Sequence, residues 1–75
     1  MRRAGRVVGA AQGVLVVRTP ESEPPTIGTR VVDERLDEVG SIVDIFGPVE
    51  RPYLTIAPGE GIALGAYLGA VLYIP

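Results

Sequence analysis

The chain has 75 residues, 47% of them hydrophobic, and its nine carboxylates outweigh seven basic residues to leave a net charge of -2. That balance is opposite to the footprint of an autonomous nucleic-acid binder. With no cysteine or histidine, disulfides, thiolate chemistry and soft metal ligands are excluded, and stability must come from packing or association.

A domain of this size buries only about 60% of the surface its unfolded chain exposes. One domain spanning 1–75 is therefore expected, with apolar area left over for a partner. Ten glycines and seven prolines fall between apolar runs rather than in tracts. Many short strands punctuated in this way predict an all-β sandwich or barrel, and a barrel best protects the edges of so small a sheet.

In chain order, Arg6 to Ala11 and Val14 to Arg18 read as two strands joined at Gln12-Gly13, where glycine supplies a positive φ. Arg2, Arg3 and Arg6 form a small basic cluster, read either as a solvated end or as an RNA contact inside a larger assembly. The early arginines and apolar run superficially resemble a secretory signal, but Gln12, Gly13 and Arg18 interrupt it, so a cytoplasmic protein is the reading. Thr19 to Ile27, with its prolines, predicts an exposed extended loop. A third short strand includes Val31 and Val32, and Asp33 to Glu38 is a charged turn.

The β-branched Ile42, Val43 and Ile45, with Phe46, predict the next strand. Pro48 ends it, because proline lacks a ladder donor and pushes Gly47 out of the α region. Pro52 repeats the interruption. Val49, Glu50 and Arg51 lie between these breakers, with Phe46 and Tyr53 at either side. Two placements of the aromatics compete on these residues alone: plugs at the two ends of a barrel, or anchors of an interface. Tyr53 to Ala57 predicts another strand, and Pro58-Gly59-Glu60-Gly61 a turn. A loop or short strand follows to Gly65. Ala70 to Ile74, apolar on both faces, predicts a strand central in the barrel or covered by a partner. The total is about six strands, with no helical periodicity.

Ile62 to Ile74 lacks charge and contains Gly65-x-x-x-Gly69, yet it is shorter than the about 20 apolar residues a bilayer needs. Asp33, Glu34, Asp37, Glu38 and Asp44 read as solvated acids rather than a metal or acid–base site. Gly59-x-Gly61-x-x-x-Gly65 misses the dinucleotide spacing. No catalytic residue, cofactor, metal, small-molecule substrate or membrane partner is expected.

Asp44-Ile45-Phe46-Gly47-Pro48-Val49 followed by Arg51-Pro52-Tyr53 resembles the central signature of the Gar subunit of H/ACA ribonucleoproteins. Val31-Val32-Asp33, Val39-Gly40, Gly13 to Arg18 and Gly69 to Ile74 resemble successive strands of the archaeal form, so the likeness covers nearly the whole chain. It implies a six-stranded β-barrel like those of translation factors. It further implies a non-catalytic subunit that binds the catalytic domain of the dyskerin-type pseudouridine synthase and meets the H/ACA guide RNA only indirectly, through the particle. Such a subunit would promote substrate loading and product release in rRNA pseudouridine synthesis and ribosome biogenesis. The residues assigned to the partner are Phe46, Gly47, Pro48, Val49, Arg51, Pro52 and Tyr53. The Gly-Arg-rich tails of eukaryotic members are reduced here to Arg2-Arg3 and Gly5-Arg6. The competing readings are a free-standing small barrel that binds RNA or a ribosomal surface, and a scaffold that self-associates.

Overall fold

A computed structural model of the protein describes residues 1–20 and 23–75. Breakers and apolar runs divide them into β1 (Arg2–Ala11), β2 (Val14–Arg18), β3 (Arg30–Val32), β4 (Glu38–Phe46), β5 (Tyr53–Pro58), a single 3-10 turn (Leu64–Tyr67) and β6 (Val71–Ile74). The six strands close into a barrel in the order β1-β2-β5-β4-β3-β6. Every neighbouring pair is antiparallel.

Alternation decides what fills it. In β2, Leu15 and Val17 point inward, while Val14, Val16 and Arg18 are half-buried on the outer side; in β5, Leu54 and Ile56 point inward between Tyr53, Thr55 and Ala57. Val31, Val39, Ile42 and Leu72 meet them from the other strands, with Ala4 and Val7 from β1. Full burial of each aliphatic side chain stabilises the barrel by about 1.5–3 kcal/mol.

The hairpin between β1 and β2 forms as expected, and both of its loop residues have positive φ, Gln12 at 53° and Gly13 at 80°. That pair of values suits the right-handed twist of the flanking strands. β1 begins four residues before the predicted start. Arg2 and Arg3 pair with Ile74 and Tyr73 of β6, so the backbone of the basic N-terminus belongs to a strand of the barrel while both side chains stay exposed. β6 pairs with both β1 and β3, and of its residues Leu72 is buried in the core while Val71, Tyr73 and Ile74 are half-buried.

The segment after β2 is less exposed than its prolines suggest. Thr19 and Pro25 are buried, and the segment returns to the barrel through Gly28 N–H donating to the Ile42 carbonyl at 2.7 Å. Glu21 and Ser22, part of that predicted loop, lie outside the described residues. The 3-10 turn was not anticipated, since four residues carry no readable period. Its Tyr67 hydroxyl donates to Asp33 Oδ2 at 3.0 Å and ties it to the β3–β4 turn.

Bulges bend the sheet into closure. The β4–β5 register skips Val43, and the β1–β2 register skips Val8. At Gly40, a β-carbon would lie 2.1 Å from the Ala57 carbonyl oxygen, so β4 and β5 pack here at a distance only glycine permits. Among the described residues, no helix is long and apolar enough to cross a membrane.

Candidate functional site

The signature segment is a hairpin. β4 and β5 are its arms, Phe46 stands directly opposite Tyr53, and residues 47–52 form the loop. The two aromatics that flank the motif in sequence are therefore a cross-strand pair, with ring centroids 5.4 Å apart and planes inclined by 18°. They do not plug two ends of the barrel: Phe46 is 44% exposed.

The bulge at Val43 puts Phe46 there. Ile42 points inward opposite Ile56, and strict alternation would place Asp44 and Phe46 on the same inner face. The extra residue reverses the phase, so Ile45 pairs with inward Leu54 while Asp44 and Phe46 face out. Just past the bulge, the Asp44 carboxylate accepts the Ile45 N–H at 2.9 Å.

Gly47 turns the chain at a φ of 91°, in the region glycine occupies without strain. A β-carbon at this position would sit 2.8 Å from Cδ2 of Tyr53, so the glycine also makes room for the ring. Pro48 stiffens the next step. Val49, at 81% exposure, is the most open large apolar side chain among the described residues. Pro24, Ile45, Phe46, Pro48, Val49 and Pro52 border a shallow, mostly apolar cavity of about 240 Å³.

The seven assigned residues thus divide. Phe46, Gly47, Pro48, Val49 and Arg51 are exposed, Tyr53 is half-buried, and Pro52 is buried within the chain. The Pro52 carbonyl accepts the N–H of buried Thr19 at 3.2 Å, which fastens the hairpin loop to the end of β2.

Arg18 escapes a reading of the motif. Its guanidinium carbon lies 5.4 Å from the centroid of the Tyr53 ring, and Arg18 stands opposite Tyr53 on the neighbouring strand. Phe46, Tyr53 and Arg18 form one outward row across β4, β5 and β2, and Arg6 extends it onto β1. The β-period of 2 on each strand was readable, but the register that aligns the strands was not.

On another part of the barrel, Asp33 of the β3–β4 turn is structural, while Glu34 and Asp37 are exposed. Asp33 Oδ1 accepts the N–H groups of Arg35 and Asp37, and Oδ2 accepts Tyr67. Burial opposes ionisation of Asp33, but these three donors and the Arg35 charge outweigh it and hold the carboxyl below its ordinary 3.8. Burial and the bond to Asp33 push the Tyr67 hydroxyl above its ordinary 10.0. Among the described residues, no three carboxylates gather as a metal site.

The family described as the Gar1/Naf1 RNA binding region matches residues 1–75. A relative in Chaetomium globosum (strain ATCC 6205), the H/ACA ribonucleoprotein complex subunit GAR1, is 29% identical over 58 residues, which make up 77% of this chain and 28% of the relative. The match thus takes in little more than a quarter of that relative's length. With the family matching end to end over a closed six-stranded barrel, this chain belongs to the Gar1/Naf1 RNA-binding-region family.

Proposed function

We propose that this protein is a non-catalytic subunit of an H/ACA ribonucleoprotein, and that it docks on the catalytic domain of a dyskerin-type pseudouridine synthase through the β4–β5 hairpin. Family membership supports the assembly. The observation that carries the docking surface is the hairpin itself, an exposed Phe46 and Val49 set on a loop stiffened by Gly47-Pro48 and fastened at Pro52. A surface already held in shape loses little entropy on binding, and a half-exposed aromatic beside an apolar cavity is the usual form of an interface anchor.

The chemistry belongs to the partner. A rigid barrel that binds one position of a mobile loop near the synthase active site better than another shifts the population of that loop, which promotes substrate loading and product release. Ribosomal RNA pseudouridylation is the process such a subunit serves.

Calorimetric titration of the protein into the purified synthase subunit tests this reading. Tight binding by the wild type is expected, with Phe46→Ala and Val49→Asp each weakening it at least tenfold, about 1.4 kcal/mol. No heat from the folded wild type, or unchanged turnover by the assembled particle when the protein is omitted, sinks the reading.

A further inference from the structure

At the opposite end of the Phe46–Tyr53–Arg18–Arg6 row from the apolar cavity, Arg3, Arg6, Arg18 and Arg51 frame a second cavity of about 200 Å³. These are four of the seven basic residues of an acidic protein. Among the described residues, no carboxylate lines it. The chain thus concentrates its positive charge at one place against its own average.

The arrangement is costly without a counter-charge. Arg6 stands directly opposite Arg18 on paired strands, a like-charge juxtaposition that destabilises a sheet. Arg18 Nε is buried and has no hydrogen-bond partner, which leaves a donor desolvated. Two of the guanidinium groups are nonetheless held in place. Arg6 Nη1 donates to the Gly69 carbonyl at 2.7 Å, and Arg18 lies against the Tyr53 ring. A bound anion would relieve the repulsion between the facing guanidinium groups.

We propose that this cavity binds a phosphodiester of single-stranded RNA, an inference that rests on the ribonucleoprotein reading above and gives it a specific contact. The arginines that line it arrive from β1, β2 and the β4–β5 loop, so positive charge borders the cavity from several sides. A tetrahedral phosphate accepts from several directions, whereas a planar carboxylate is matched by one guanidinium fork. Because the chain as a whole is acidic, the contact adds orientation to RNA already held by the particle, and its free affinity is weak and strongly salt-dependent.

The test is fluorescence anisotropy of a labelled single-stranded RNA oligonucleotide with the full chain, over a salt series from about 50 to about 200 mM. Wild type is expected to bind, with Arg3→Gln flattening the plot of log K against log salt by about 0.7 and Arg3→Gln/Arg51→Gln flattening it further. Arg35→Gln, which makes the same charge change away from the cavity, should leave the slope unaltered. The proposal is overturned by absence of RNA binding, by equal effects of Arg3→Gln and Arg35→Gln, or by polyglutamate competing as well as unlabelled RNA, which would assign the cavity to an acidic protein segment. Thermal melts check that each variant is folded. Calorimetry against the synthase separates the two readings: Arg3→Gln should bind it like wild type, and a wild type that binds RNA through the cavity but gives no heat with the synthase removes the docking reading alone.

Discussion

Gly47 and Phe46 separate two kinds of residue in one motif. Placing a side chain on Gly47 requires a left-handed backbone and drives a methyl group into Tyr53, so Gly47→Ala should lower stability by about 1–2 kcal/mol in chemical denaturation. Phe46→Ala removes an exposed ring whose chief intramolecular partner is Tyr53. Its expected cost to folding is about 0.5–1.5 kcal/mol, the scale of one aromatic pair, in the same denaturation series. A much larger loss would mean that Phe46 serves the barrel rather than a partner. Gly40→Ala meets backbone rather than a side chain, at the Ala57 carbonyl, and should cost about 3 kcal/mol or prevent folding altogether. The sequence offered the aromatics and prolines of the motif as a stiff, exposed segment, and Phe46, Pro48 and Val49 are exposed. That Pro52 is buried was not legible, because burial depends on Thr19, thirty-odd positions away in the chain.

Elements carry the next level of specification. The Val43 bulge is what keeps Ile45 inside and Phe46 outside at this chain length, so deleting Val43 should leave both residues on their present faces, in regular register with Leu54 and Tyr53, while removing the local bend and lowering the melting temperature. Val43→Thr keeps the residue count at a partly exposed position and should change stability by no more than about 0.5 kcal/mol. The tie between the 3-10 turn and the β3–β4 turn should be visible in pH dependence. Asp33 is depressed below 3.8, so its stabilisation is complete above the unfolded value and is lost as pH falls through the depressed folded one. Tyr67 is raised above 10.0, so its contribution is complete below pH 10 and is lost as pH rises through the folded value. Melting points across both ranges should fall at the two extremes. In Asp33→Asn the acid limb should flatten, and an undiminished slope would dismiss the tie. The strand positions of both arms were legible from β-branched residues and prolines. The bulge was not, since Ile42-Val43 reads as uninterrupted strand.

For the whole molecule, closure depends on contacts between the two ends of the chain. β1 and β6 pair along Arg2 to Arg6 and Val71 to Ile74, and β6 also reaches β3. Truncation after Ala70 should therefore open the barrel, exposing Ala4, Val7 and Val32, and circular dichroism should report a broad, non-cooperative melt. By itself the sequence determined the all-β class, the strand count, the Gln12-Gly13 hairpin and the place where regular pairing stops. These follow from local sterics: branched side chains favour the pleat, while glycine and proline break it. Only the tertiary structure decided which residues are neighbours. It stacked Phe46 on Tyr53, set Arg18 beside them, gathered arginines from positions 3, 6, 18 and 51, and joined Tyr67 to Asp33. Those juxtapositions depend on the register and bulges of a closed sheet. A one-residue shift reverses every side chain on a strand, and the register is fixed by the packing of all six strands together.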